Sequence, residues 1–382
     1  MTPSGWGIFF SCGEVSGDGY ASAVLDALRR RGYAQTFFGM GGPLAAGAGA
    51  EIVSDSRALH LMGVSDVLPA IPRLLRLKQS LVDLVLSRRP GAVLLIDSPD
   101  FHLPLAASLR RSGWRGPIVY AVPPTVWAWR SGRVRNLRRD TDLCLPLFRF
   151  EHEYLLKAGV NSAWKGHPLV DEFSVPFLEE SDPKRIALLP GSRRSEVFRL
   201  LPPLVKCASL LKDRGYRPVF SIAPGMPEDL RNRLRDELKG YETWDGPGRD
   251  LLASSAAAAG ASGTVAVEAM MLGKFMAVLY KGGFLSWLAW KTLVKTPRIS
   301  IPNLLAGEEL YPEFIQGRAT GRNAFSALLG FLEDERAAEH VRAGLLSARS
   351  AMGVPGALDF WAERLEALLS GQTAFPEKGA EV

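Results

Sequence analysis

Short apolar runs, too short for buried helices, alternate with stretches of helical period, and this alternation passes through the 382-residue chain twice. In the first half Gly7–Ser11, Thr36–Gly39, Ala92–Asp97, Pro117–Val122 and Leu143–Phe148 read as strands. Helices are predicted where Ala21, Val24, Leu25 and Leu28 share a face, and at Pro72–Arg88, Pro104–Arg111 and Phe150–Ala158, with a short strand before Gly166. Strands separated by helices form parallel β-α-β units with right-handed crossovers. After an acidic, Pro-containing stretch without a period, Pro168–Pro183, the second half repeats the scheme. Arg185–Leu189, Pro218–Ala223, Ala256–Ala259 and Phe275–Tyr280 are its strands; Arg194–Lys212, Pro227–Lys239 and Thr264–Leu272 are its helices.

The organisation expected is an α/β fold of two doubly wound, Rossmann-like domains, 1–170 and 185–320, joined by a linker at 171–184. A helical segment, 321–382, either crosses back or is exchanged in a homodimer. Such sheets place ligands at the C-terminal ends of their strands, in a cleft that the two domains face. With 47% apolar and 23% charged residues the chain is globular. A net charge of +6 suits phosphate-bearing small molecules or an anionic membrane at least as well as nucleic acid. Cys12, Cys144 and Cys207 are scattered and lack CxxC spacing, which argues against disulfides or a zinc site and fits a reducing, cytoplasmic setting. Neither a signal peptide nor an apolar run of about 18 residues is found, so no membrane span is expected.

Chemistry-bearing residues fall where strands end. The loop Cys12–Gly19, with Glu14, Ser16, Gly17 and Asp18, joins the first strand to the first helix and offers glycines and free helix N–H groups to a phosphate or sugar. Its bland alternative is that Ser16 or Asp18 caps the helix. Asp97 closes an apolar strand, where partial desolvation fits a carboxylate to act as a base on a sugar hydroxyl; Asp100 is the second choice. Either could instead cap the next helix. Trp127 and Trp129 offer a platform to a sugar or acyl chain and Arg130 a partner to phosphate, with core packing the alternative for one ring. His102 reads as a cleft residue and His167 as a hinge residue.

In the second half Gly191, Ser192 and Arg193 form a turn between strand and helix that would hold a diphosphate without a metal. Ser262, Gly263 and Thr264 form another, and Glu268, one turn further on, is placed for ribose hydroxyls. Asp140-Thr141-Asp142 matches a metal-holding DxD pattern but sits beside a basic helix in the first half, away from these turns, and reads as structural. Residues 284–295 are amphipathic with Trp287 and Trp290, as surface-bound helices are, and Leu59–Leu86 is rich in Leu and Arg, a candidate opening for acyl chains.

Taken in order, GEVSGD, GGP, LMGVSDVL, IDSPDF, VWAWR, GHPLVDE, LLPGSRRSE, ASGTVAVEAMM and VKTPRISIPNLLAG resemble the lipid-A-disaccharide synthase family. The resemblance implies a GT-B fold, UDP held by the C-terminal domain, and no metal or other cofactor. It implies inverting transfer from UDP-2,3-diacylglucosamine to 2,3-diacylglucosamine 1-phosphate (lipid X), giving a β-1,6-linked disaccharide and UDP. The partners so implied are those two lipids and an anionic membrane, at the inner face of the inner membrane, with no nucleic acid. By matching positions, Glu14, Ser16, Asp18, Asp97 and Asp100 fall to the acceptor side. Gly191, Ser192, Arg193, Ser262, Gly263, Thr264, Glu268, Tyr280 and Asn303 fall to the nucleotide side. The chain departs from the family pattern at His102, Pro123 and Lys281, where Asn, Ser and often Arg are usual; these bear on acceptor contact and on the tuning of Asp97. The rival readings are a UDP-N-acetylglucosamine 2-epimerase and a non-catalytic lipid-sugar binding protein.

Overall fold

The computed structural model describes residues 7–60, 67–173, 181–282 and 298–371. The chain divides into two compact units: the described residues up to Asp171 together with those from Gly353 on, and Glu172 to Met352.

The first unit holds a six-stranded parallel sheet of β1 (Ile8–Cys12), β2 (Phe37–Gly41), β3 (Glu51–Asp55), β4 (Ala92–Ile96), β5 (Ile118–Ala121) and β6 (Leu143–Leu145). The order is β3-β2-β1-β4-β5-β6, so the winding reverses between β1 and β4. Both central strands are buried throughout, the near-continuous apolar type that a parallel sheet covered on both faces requires. Ile8, Phe10 and Cys12 point into one core with Leu25 and Leu28, and Phe9 points into the other with Val82, Leu109 and Tyr120. The first core is closed by the helix Ala357–Leu369, whose Trp361 is buried and meets Tyr20 edge-on at 5.7 Å. Ion pairs Arg30–Asp359 (3.0 Å) and Arg31–Glu366 (2.6 Å) flank it.

The second unit contains β7 (Asp182–Leu189), β8 (Arg217–Ser221), β9 (Glu242–Trp244), β10 (Ser255–Ala261), β11 (Phe275–Tyr280) and β12 (Glu313–Ile315). Its parallel sheet runs β12-β11-β10-β7-β8-β9, the same winding as the first, with the reversal between β7 and β10. The helices Gly321–Glu333 and Glu335–Ser350 belong to this unit, capped by Thr320 and Asp334 side chains.

Several boundaries differ from the sequence reading. The first strand of the second unit begins at Asp182, inside the expected linker. The helix expected from Pro104 starts at Pro99. Proline is favoured at the first helical position, and of the two candidates the earlier takes that place, leaving Pro104 inside. The strand expected before Gly166 is reduced to isolated bridges, Cys144 with Ser162 and Gly166 with Gly353. The stretch 284–295 lies outside the described residues. No described helix is long and apolar enough to cross a membrane.

Candidate active site

Beyond β4 the chain turns sharply. Asp97 and Ser98 take φ of +57° and +41° before Pro99 opens the helix Pro99–Arg111. Two successive left-handed residues that are not glycine are strained by about 1–3 kcal/mol each, and persist only where their surroundings over-determine them. Here they do. The Asp97 N–H donates to the Ala121 carbonyl (3.1 Å), and the Asp97 carbonyl accepts from the Tyr120 hydroxyl (2.6 Å) and from His102 Nδ1 (2.9 Å). A carbonyl only accepts, so His102 carries its proton on Nδ1, and Nε2 accepts from the Ser11 hydroxyl at 2.8 Å. His102 is fully buried, and burial pushes its pKa down to about 4, which keeps the ring neutral near pH 7.

The Asp97 carboxylate faces the loop after β1, the neighbouring strand at the winding reversal. Oδ1 accepts from the Gly13 N–H at 3.1 Å, whereas Oδ2 is buried and has no hydrogen-bond partner among the described residues. Gly17 makes the room: a Cβ there would stand 2.3 Å from Oδ2. Burial pushes the pKa up to about 6, against the Ser98 side chain and with the nearby charge of Glu14. A desolvated carboxylate with one oxygen unengaged, at the C-terminal end of a central strand, is suited to removing a proton from a hydroxyl.

Other first-unit candidates are placed differently. Glu14 is exposed at the N-cap of the helix Val15–Arg30, and Ser16 is exposed in its first turn. Asp18 is buried, and its carboxylate accepts from the N–H groups of Gly42 (2.7 Å), Leu44 (2.9 Å) and Ala45 (3.2 Å). It therefore holds the start of the helix Pro43–Gly47, which corrects both the expected acceptor contact and the alternative of capping its own helix. Asp100 is exposed and bound by Arg130 (2.9 Å) and Arg133, so the two aspartates of this motif are not equivalent. The Arg130 guanidinium lies 4.1 Å over the Trp129 ring. Trp127, half-buried, meets Phe150 edge-on at 4.9 Å and donates its indole N–H to Glu151 Oε1 at 3.0 Å. Burial pushes Glu151 up to about 7. His167 is buried against Phe148 and accepts the Leu169 N–H at 3.0 Å, a packing role. In the DxD segment, Asp140 is buried and paired with Arg139, while Asp142 is held by Arg110 (2.5 Å) and the Ile118 N–H (2.7 Å).

In the second unit the two turns leave the adjacent strands β7 and β10. Gly191 has φ +99°, and a Cβ on it would lie 2.7 Å from Glu196 Oε2 and 3.4 Å from the Ala261 Cβ, so the turns adjoin. Ser192 and Arg193 are exposed, Arg193 at the N-cap of the helix Arg194–Asp213. Ser262 is half-buried, and Gly263 caps the helix Thr264–Met271. One turn on, burial raises the pKa of Glu268, with the Arg249 charge opposing. Tyr280 is half-buried at the end of β11. Asn303 is not available to a nucleotide. Fully buried, it donates to the Tyr311 carbonyl (2.7 Å) and Glu313 Oε1 (2.8 Å) and accepts from the N–H groups of Leu310 (2.9 Å) and Tyr311 (2.8 Å). Its amide is fully engaged in its own unit, which corrects the expected role.

Tyr120, Ser11, Arg133 and Glu151 join these contacts without a sequence motif to mark them. A tyrosine inside an apolar strand is the one available signal, because a buried phenol requires a partner.

The model of the family described as Lipid-A-disaccharide synthetase matches residues 8–351. A lipid-A-disaccharide synthase of Myxococcus xanthus is 34% identical, the match covering 95% of this chain and 97% of that protein. One of Solibacter usitatus is 37% identical over 96% and 98%. Among solved structures, the UDP-GlcNAc 2-epimerase of Neisseria meningitidis bound to UDP-GlcNAc superposes with a TM-score of 0.61 at 13% identity, covering 94% of this chain and 98% of that one. This last likeness is one of fold, which the epimerase shares with GT-B glycosyltransferases, and the sequence matches separate the two activities. The chain belongs to the lipid-A-disaccharide synthase family, glycosyltransferases of the GT-B fold that build the lipid A disaccharide.

Proposed function

We propose that the chain forms the β-1,6 bond of the lipid A disaccharide by a single inverting displacement with Asp97 as general base. The donor is UDP-2,3-diacylglucosamine and the acceptor 2,3-diacylglucosamine 1-phosphate. The acceptor 6-hydroxyl gives its proton to Asp97 as its oxygen forms the bond to donor C1. The bond from C1 to the phosphate oxygen breaks, and its electron pair leaves with UDP. The observation that carries this reading is the unengaged, buried Oδ2 of Asp97. Glu14 and Ser16 line the acceptor from the loop after β1, Trp127 supplies a ring face, and Arg130 meets the acceptor phosphate. Asp18, behind them, holds the start of the helix Pro43–Gly47.

Gly191, Ser192 and Arg193, with Ser262, Gly263 and Thr264, cradle the diphosphate, and their N–H groups and guanidinium take up the charge that develops on departure. Glu268 accepts the ribose hydroxyls and Tyr280 borders the nucleotide. With this charge supplied by the chain, turnover is expected to persist in EDTA; abolition by EDTA and recovery with a divalent cation would overturn that part. Membrane attachment is supported by Ile71 and Leu75, exposed beside Arg73 and Arg76 on the helix Val67–Arg88. Replacing both by Ser should weaken sedimentation with anionic vesicles.

The direct assay is mass spectrometry of the protein incubated with both lipids, where UDP and an acylated disaccharide are expected together. Epimerised donor formed without acceptor, or binding without product, would favour the rival readings.

A further inference from the structure

We propose that His102 is a positioning residue for the transfer: its Nδ1–H, tied through Nε2 to Ser11, holds the Asp97 carbonyl and so keeps the Asp97–Ser98 turn in the conformation that aims Oδ2 at the loop after β1. This inference rests on the reading of Asp97 as base.

The geometry separates His102 from a proton relay. Its contact is to the Asp97 main-chain carbonyl, 2.9 Å away, and not to the carboxylate. The ring is fully buried, T-shaped to Phe101 at 5.6 Å and to Tyr120 at 6.3 Å, so it neither meets solvent nor has freedom to swing. The tautomer is set by the Asp97 carbonyl, which can only accept and so requires the ring proton on Nδ1; the hydroxyl of Ser11, buried on β1, then donates to Nε2. The depressed pKa of the ring, about 4, agrees with a neutral imidazole through the working range. Because β1 and β4 are neighbours at the winding reversal, the Ser11–His102–Asp97 chain ties the strand that carries the base to the strand whose loop the base faces. Tyr120 on β5 gives the same carbonyl a second donor. The titratable groups near the Asp97 carboxylate are Glu14 and Cys12 from the β1 side and Tyr120 from β5.

Two substitutions divide donor from bulk. Asn carries its amide nitrogen on Cγ, where histidine carries Nδ1, so His102→Asn keeps a donor to the carbonyl and loses the tie to Ser11. His102→Leu fills similar space and donates nothing. The full-length variants are compared for kcat, for KM of the sugar nucleotide, for UDP affinity and for the acid limb of the pH–rate profile. His102→Leu is expected to lower kcat about 10- to 100-fold. UDP affinity should be unchanged and the acid limb should move away from that of the parent, with His102→Asn recovering most of the rate. A His102→Leu enzyme within about threefold of the parent, or equal losses for Leu and Asn, would overturn the proposal. If the Leu variant does not fold, nitrogen NMR of the parent decides: the Nδ1–H tautomer supports it, and the Nε2–H tautomer refutes it. Asp97→Asn keeps the two readings apart. Normal turnover there removes the base itself, whereas an inactive Asp97→Asn beside a normal His102→Leu removes only the positioning role.

Discussion

Asp97 is held where its charge disfavours the fold. Its folded pKa of about 6 lies above the ordinary 3.8, so the folded protein binds the proton more tightly than the unfolded chain. The resulting contribution to stability is complete below about pH 4 and is lost as the pH rises through about 6. Asp97→Asn, neutral throughout, should therefore unfold at a higher temperature than the parent at pH 7.5, by the equivalent of about 2–3 kcal/mol. That gain should fade by pH 4; a lower melting temperature at pH 7.5 would contradict the burial argument. The neighbouring Gly17 gives a steric counterpart. Gly17→Ala should push the carboxylate aside and reduce kcat by about tenfold or more, with UDP affinity intact. Asn303 gives the opposite case. Asn303→Leu takes the partner from the Leu310 and Tyr311 N–H groups and the Tyr311 carbonyl, while Glu313 Oε1 keeps Ser300, and should destabilise by about 2–4 kcal/mol, measured by urea unfolding, with UDP affinity per folded molecule unchanged. A weaker UDP affinity at unchanged stability would restore Asn303 to the nucleotide site.

At the scale of elements, the central strands were legible because burial on both faces leaves a continuous apolar run, as in AVLLI of β4. The edges were not. β3 is EIVSD with exposed and half-buried residues alternating, while β9 and β12 have three residues each, too few to show a period. Asp97 was legible as the carboxylate that ends an apolar run, and Gly191–Arg193 as a turn before a helix. Asp18 and Asn303 misled for a common reason. Both are polar residues inside matching motifs, and only the fold shows that backbone groups 24 to 27 residues away, or seven to eight, use up their hydrogen bonds. The sequence leaves open whether the helical segment 321–382 crosses back or is exchanged, since the docking of Ala357–Leu369 rests on Trp361 meeting Tyr20 more than three hundred positions earlier. Trp361→Ala should destabilise that unit by about 3–5 kcal/mol, seen as an early transition in thermal unfolding. A single unshifted transition would place the helix's stabilising contacts elsewhere.

At the scale of the molecule, one winding scheme is used twice with different chemistry at its reversal. In the first unit the reversal between β1 and β4 brings together the Gly13–Gly17 loop and the Asp97 turn. In the second, the reversal between β7 and β10 brings together two turns that each open a helix, at Arg193 and at Gly263. Open α/β sheets bind ligands at this position, and the proposed assignment of acceptor chemistry to one unit and nucleotide to the other rests on what each reversal carries. The most direct test is to measure, on one preparation of Asp97→Asn, both turnover of the two lipid substrates and affinity for UDP. Loss of the base should lower kcat by about 100- to 10,000-fold with UDP affinity within about twofold of the parent. Turnover close to the parent's would contradict the account at its centre.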